Sequence, residues 1–92
     1  MGLTFEWDTR KATSNLKKHG VSFEEAATTF ADPLSLTIAD PDHSGDEERF
    51  LLVGLSHRAH LVVVAHTESG ERIRIISARL ASVLERKSYE KG

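Results

Sequence analysis

Apolar and polar residues alternate at the start of the chain. Over residues 3–7, apolar side chains alternate with Thr4 and Glu6, and a period of two is typical of a strand with one buried face. We therefore predict that the chain begins with a short strand and that Trp7 joins the core.

A helical pattern follows this strand. Asp8 favours an N-cap and Gly20 a left-handed C-cap, so the first helix should end near His19. Its apolar stripe holds only Ala12 and Leu16. We expect the other side chains to form a polar surface that faces water or a partner: Arg10, Lys11, Asn15, Lys17 and Lys18.

A second helix is predicted from Ser22 and Glu25, which have the spacing of a capping box. Pro33, after Asp32, should end it. Its apolar face consists of Phe23, Ala26, Ala27 and Phe30.

Four later segments are predicted to be strands: residues 34–38, which alternate with a period of two, and residues 48–56, 61–67 and 72–78. The last three are joined by short connections, which predicts an antiparallel meander. In the final segment Arg72 and Arg74 alternate with Ile73 and Ile75. That strand should therefore carry cations on one face and apolar side chains on the other.

A second capping box, formed by Ser82 and Glu85, predicts a C-terminal helix. The order of elements indicates an α+β domain. Two N-terminal helices and one C-terminal helix should cover one side of a small antiparallel sheet, a meander of three to four strands plus the N-terminal strand. We expect residues 1–92 to form one domain.

Composition excludes some classes of chemistry. A chain without cysteine forms no disulfide, no Cys-type zinc site and no thiol nucleophile. No segment resembles a signal peptide or a membrane span, so we expect a cytoplasmic protein with no membrane contact. The net charge is -2, but residues 9–19 are basic, residues 40–48 are acidic, and bases predominate from 72 onward. This segregation predicts a locally basic surface, and arginines on a strand can hold phosphate.

The chain resembles the BrnT family of bacterial type II toxins along nearly its whole length. The resemblance rests on Phe5-Glu6-Trp7-Asp8, Lys11 with Asn15, Lys18-His19-Gly20-Val21-Ser22-Phe23-Glu24-Glu25-Ala26, Asp32-Pro33, Glu48-Arg49, Gly54-Leu55-Ser56, Arg74-Ile75-Ile76-Ser77-Ala78-Arg79, Glu85-Arg86 and Tyr89.

This resemblance implies a RelE-like fold and a ribonuclease toxin that inhibits translation by cutting RNA, either free or on the ribosome. It also implies a BrnA-type antitoxin whose ribbon-helix-helix domain binds operator DNA, and it implies no cofactor. The last segment departs from the family pattern, because Leu80, Val83 and Leu84 interrupt a stretch that is often densely basic.

RNA cleavage without a metal requires activation of a 2′-hydroxyl, stabilisation of a charged transition state and protonation of the leaving 5′-oxygen. By analogy with RelE-like enzymes, we give most weight to Arg74, Arg79 and Tyr89 as catalytic residues. His66 and Glu48 are further candidates for proton transfer, as is His19. The candidates for RNA binding are Lys18, Arg49, Arg72, Arg86 and Lys87.

Each candidate has a structural alternative. The arginines can be solvated charges on a strand face, Tyr89 can belong to the core, and His66 is equally well explained as a hydrogen-bonded structural histidine. His19 can simply offset the negative end of the first helix. His57 and His60 flank a hairpin turn and are expected to be solvated. His43 lies in an acidic loop, for which solvation is a better explanation than metal binding.

A non-catalytic function is the competing hypothesis. The basic surface could grip an acidic antitoxin segment in a repressor complex, and Leu80, Val83 and Leu84 could dock a partner. Packing of these three side chains against the sheet is the simpler interpretation.

Overall fold

The computed structural model describes residues 2–41 and 48–92. Its elements are β1 (Thr4–Glu6), α1 (Thr9–His19), α2 (Phe23–Thr28), a short 3₁₀ helix (Thr29–Ala31), β2 (Leu36–Ala39), β3 (Phe50–Leu55), β4 (Leu61–Ser69), β5 (Arg72–Leu80) and α3 (Val83–Lys91). The predicted order of helices and strands is confirmed. His43 and most of the acidic loop lie outside the described residues.

The five strands form one sheet in the order β1-β5-β4-β3-β2. Strands β2 to β5 are a meander in which every neighbouring pair is antiparallel. Strand β1 lies beside β5 and runs parallel to it. The sheet is therefore mixed. The prediction of a wholly antiparallel sheet is wrong at this edge, where β1 and β5, the first and last strands of the sequence, pair with each other.

The core lies between the sheet and the first two helices. Its buried members are Val21, Phe23, Ala26, Val62, Val64, Ile73, Ile75 and Ala78. Trp7 packs against this cluster as predicted and meets Phe23 edge to face. We call this side of the sheet the inner face and the opposite side the outer face. Helix α3 contributes no buried residue, so polar contacts rather than core packing must hold it.

Three caps follow from local sequence. The Asp8 carboxylate accepts from the backbone N–H groups of Arg10 and Lys11, and Gly20 ends α1 with φ 72°. Both were predicted. The capping box at Ser82 is complete. In α2 only half of the predicted box forms, because Glu25 donates its N–H to the Ser22 side chain but directs its own carboxylate elsewhere.

Helix α1 buries a different residue from the one predicted. Asn15 is buried and Leu16 is half exposed. The Asn15 amide nitrogen donates to the carbonyls of Val21 and Ala78, at 2.9 and 2.8 Å. Because backbone groups satisfy its polar atoms, Asn15 can occupy an interior position that its residue type would assign to the surface.

Candidate active site

A β-bulge places Arg74 and Arg79, the two arginines favoured as catalytic candidates, on the same face of the sheet. Ser77 pairs with Ala65, whereas Ile75 pairs with His66, so Ile76 is an extra residue in β5. Five positions separate Arg74 from Arg79, and in a regular strand they would point to opposite faces. With the extra residue both point to the outer face, while Ile75 and Ala78 are both buried on the inner face.

The outer face carries a band of cations. Arg74 pairs with Thr67 in the register, and extension of the β3–β4 register by one residue places Arg49 on the other side of Thr67. Arg72 is exposed on the same face, 3.7 Å from the carboxylate of Glu6. Arg74 forms no ion pair within the described part of the chain, so its guanidinium can receive an anion. The cationic band is thus Arg49, Arg72, Arg74 and Arg79.

Arg79 is tied to α3 by a bidentate ion pair. Its two terminal nitrogens each donate to a separate oxygen of Glu85, both at 2.7 Å. These hydrogen bonds lower the pKa of Glu85 to about 2. The same bonds raise the pKa of Arg79, against the effect of burial. Arg79 therefore remains a fixed cation, and its orientation is set by the first turn of α3.

The Tyr89 side chain forms a hydrogen bond with Asp32, a carboxylate that also contacts the end of β3. Its hydroxyl donates to Asp32 at 2.6 Å, and the same carboxylate oxygen accepts from the Leu55 N–H at 2.8 Å. Burial acts to raise the pKa of Asp32, but these hydrogen bonds bring it below its usual value. The bond to Asp32 raises the pKa of Tyr89. In this arrangement the phenol is a hydrogen-bond donor, and through Asp32 it links α3 to Leu55 of β3.

His66 lies in the interior, not in a cleft. Its side chain is fully buried on the inner face, edge to face with Phe30 and next to the ring of Phe50. One ring nitrogen contacts the Val64 carbonyl, and the other contacts the Glu68 carboxylate at 2.9 Å. Both ring nitrogens have partners and the ring is buried, which supports the structural alternative for His66 over the catalytic one.

The remaining predicted residues are dispersed. Lys18 and His19 are exposed in the last turn of α1, away from the outer face. Glu48 is exposed just before β3, and Arg86 and Lys87 are exposed on α3. The structure therefore groups the arginines of β5 with Arg49 and does not bring Lys18 to them.

A second polar cluster was missed by the sequence analysis. The buried carboxylate of Glu25 accepts from the Ser56 hydroxyl at 2.7 Å and contacts Nδ1 of His60 at 2.7 Å. Burial acts to raise the pKa of Glu25, but these bonds and the charges of His60 and Arg58 lower it. In the sequence, the one sign of this cluster was Glu25, an acid within the apolar face of α2. The predicted capping box with Ser22 had already accounted for it.

A shallow cavity of about 270 Å³ lies beside this cluster. Its walls include Ser56, which bonds Glu25, and Asp32, which bonds Tyr89. Within the described ranges, no group of three or more histidines and acids is placed to hold a metal ion. The same ranges contain no helix with the length and apolar character needed to cross a membrane.

Residues 7–85 match the family described as the ribonuclease toxin BrnT of a type II toxin-antitoxin system. The chain belongs to the BrnT family. A crystal structure of the Brucella abortus ribonuclease toxin BrnT has a similar fold, with a TM-score of 0.62 and 22% sequence identity over 87% of this chain and 97% of that one. No curated protein sequence is significantly similar to the chain.

Membership of the BrnT family makes this chain a member of a group of type II ribonuclease toxins, and such a system implies an antitoxin partner. The matched residues include the cationic band and the cluster of Glu25, Ser56 and His60. Tyr89, Arg86 and Lys87 lie beyond residue 85, outside the match.

Proposed function

We propose that this protein is an endoribonuclease toxin that inhibits translation by cutting RNA without a metal ion. The observation that carries the proposal is the BrnT family match together with an outer face on which a bulge aligns Arg74 and Arg79. Arginine on a sheet offers paired N–H donors that suit phosphate oxygens.

Arg74 is the primary phosphate ligand in this proposal, because it is exposed and unpaired within the described residues. Arg79 supplies a second, fixed positive charge for the transition state, oriented by Glu85. Arg49 and Arg72 extend the surface along the RNA, and Arg86 and Lys87 of α3 add flanking charge.

Proton transfer needs separate groups. The Tyr89 hydroxyl now donates a hydrogen bond to Asp32. It can protonate the leaving 5′-oxygen if RNA displaces that contact. Glu48, exposed at the start of β3, is the acidic candidate nearest to Arg49. Both assignments depend on side chains that must turn toward the band.

RNA cleavage by the purified protein in the presence of a chelator tests the activity. We expect Arg74→Ala and Arg79→Ala to reduce cleavage by 100-fold or more, the range for loss of one electrostatic donor, while Arg10→Ala on α1 should leave it unchanged. In cells, induction of the protein alone should stop growth and fragment RNA. Intact RNA and normal growth with folded, expressed protein would overturn the proposal.

The antitoxin in this proposal is a BrnA-type ribbon-helix-helix protein that covers the cationic band and excludes RNA. Operator DNA is then bound through the antitoxin alone, since the net charge of this chain is -2. The test is competition: the neighbour-encoded protein should displace RNA from this chain, and the complex of the two proteins should bind the promoter, which this chain alone does not bind.

One observation favours a second candidate, a non-catalytic antitoxin-binding module. Val83 and Leu84 are 71% and 77% exposed, so they do not pack against the sheet and present apolar surface on α3. Arg79 and Tyr89 are both engaged by internal acids. Tight binding of the antitoxin with no RNA cleavage, with or without ribosomes, would select this function.

A further inference from the structure

The turn between β3 and β4 is built around one hydroxyl group. The Ser56 side-chain oxygen accepts from the backbone N–H groups of Arg58 and His60, both at 3.2 Å, and donates to Glu25. Ala59 has φ 63°, a left-handed conformation that costs a non-glycine residue about 1 kcal/mol. Backbone held in this way fixes the position of the next side chain, His60.

The His60 ring is held at one nitrogen and open at the other. Nδ1 lies 2.7 Å from the Glu25 carboxylate, whose side chain is only 4% exposed, while the His60 side chain is 48% exposed. A carboxylate can only accept, so in neutral His60 the proton lies on Nδ1. Nε2 then carries a free lone pair, and no partner for it occurs among the described residues.

A buried carboxylate, an imidazole that this carboxylate orients and a solvent-accessible Nε2 are together the features of a general base. We propose that His60 is a catalytic base of this protein and that Glu25 is its positioning residue, an inference that rests on the proposed ribonuclease function. Neither residue was among the candidates from the sequence, where His60 was assigned to a solvated turn and Glu25 to a cap.

The location of His60 agrees with this role. The next residue, Leu61, accepts a backbone hydrogen bond from Ala81 at 2.9 Å, so the turn adjoins the exit of β5, two residues beyond Arg79. Arg58 lies in the same turn and lowers the pKa of Glu25 through its charge. In this inference the scissile phosphate lies at the end of the sheet near Arg79, and Arg74, whose register partner Thr67 is seven residues along β4 from His60, binds the RNA backbone further along the strand. The RNA must turn around the end of the sheet, because Arg79 points to the outer face and Glu25 lies in α2 on the inner side.

The proposed step is a transesterification. Nε2 of neutral His60 takes the proton from a 2′-hydroxyl as the 2′-oxygen forms a bond to the adjacent phosphorus. The bond from phosphorus to the 5′-oxygen breaks, and that oxygen leaves with a proton from a separate acid or from water. The products are a 2′,3′-cyclic phosphate and a 5′-hydroxyl, and the proton taken by His60 returns to solvent.

The decisive variant is His60→Gln, with His57→Gln as its matched control. His57 lies in the same turn but contacts the Thr28 hydroxyl instead of a carboxylate. We expect kcat for RNA cleavage to fall by 100-fold or more in His60→Gln, with KM nearly unchanged, and to stay within about twofold in His57→Gln. The limb of the pH–rate profile that reports deprotonation of the base should be lost in His60→Gln. Glu25 from α2 and Arg58 from the turn are the charged groups that face this ring.

A measurement without RNA tests the positioning role. In nitrogen NMR spectra of the neutral ring, His60 should show the Nδ1–H tautomer, and Glu25→Ala should convert it to the commoner Nε2–H form. A His60 ring that is already Nε2–H in the unaltered protein would overturn the inference, as would a His60→Gln variant that cuts RNA with an unchanged rate and pH profile. In the second case the proposed ribonuclease function would stand. Failure of the unaltered protein to cut RNA would overturn that function and this inference together.

Discussion

The side chain of Asn15 pairs with Ala78 as a neighbouring strand would. Its amide nitrogen donates to the Ala78 carbonyl at 2.8 Å, and its amide oxygen accepts from the Ala78 N–H at 3.1 Å. Strand β1 pairs with β5 only from Arg72 to Arg74, so the edge of β5 beyond this pairing would otherwise lack a partner at Ala78. One side chain on α1 thus completes the sheet edge and joins it to a helix.

Replacement of Asn15 by alanine should lower the free energy of unfolding by about 2–4 kcal/mol, because it leaves buried backbone groups of Ala78 and Val21 without partners. Urea denaturation measures the change. Ser14→Ala, at an exposed position on the same helix, should stay within about 0.5 kcal/mol. A loss for Asn15→Ala no larger than that of the control would contradict this account.

The stability contribution of Glu85 should depend on pH. Its pKa is about 2 in the folded chain, against an ordinary 4.5. A lowered pKa means that the carboxylate stabilises the fold above about pH 4.5 and that this contribution is lost as the pH falls toward 2. The difference in Tm between the unaltered chain and Glu85→Gln should thus be largest near neutral pH and vanish near pH 2. Glu90→Gln controls for removal of an acid from α3. A pH-independent difference would refute the prediction.

Tyr89→Phe should loosen the end of α3. The lost hydroxyl donates to Asp32, and a half-exposed hydrogen bond to a carboxylate contributes about 1 kcal/mol. Amide exchange in the last turns of α3 should accelerate, since no buried residue of the helix compensates. Ser88→Ala, exposed on the same helix, is the control. If exchange rates in the two variants agree, the phenol does not anchor the helix.

Gly54→Ala should destabilise the fold by about 1–3 kcal/mol through overpacking. A Cβ atom at this position would lie 3.0 Å from the Thr29 carbonyl oxygen and 3.2 Å from the Cβ of Ser35. Because backbone cannot rotate away as a side chain can, β3 or the 3₁₀ helix must shift. Gly2→Ala meets no atom within 4 Å and should leave Tm unchanged. Equal Tm values for both variants would show that the approach is not tight.

Much of the fold was predictable because its signals are local. The caps at Asp8 and Gly20, and the alternation at the start of β5, depend on neighbours in sequence. The parallel pairing of β1 with β5 has no such signal, since residues such as Phe5 and Ile73 are joined only by the completed fold.

The interior polar residues were not predictable for a related reason. Asn15 and Glu25 are buried because groups distant in sequence satisfy them, whereas hydrophobic periodicity assigns every polar side chain to the surface. For the candidate site, the sequence indicated the arginines of β5 but not the partners that fix Arg79, and it assigned His60 to solvent.

The bulge at Ile76 decides which face of the sheet Arg79 occupies. If β5 kept its length but lost the bulge, every side chain beyond Ile75 would change faces. Arg79 would then point into the apolar interior, and Ala78 would take its place opposite Val63. Deletion of Ile76, in contrast, would leave the two arginines four positions apart and keep both on the outer face. The bulge is therefore a phase correction within the strand, and its loss would break the cationic band without removing a single charge.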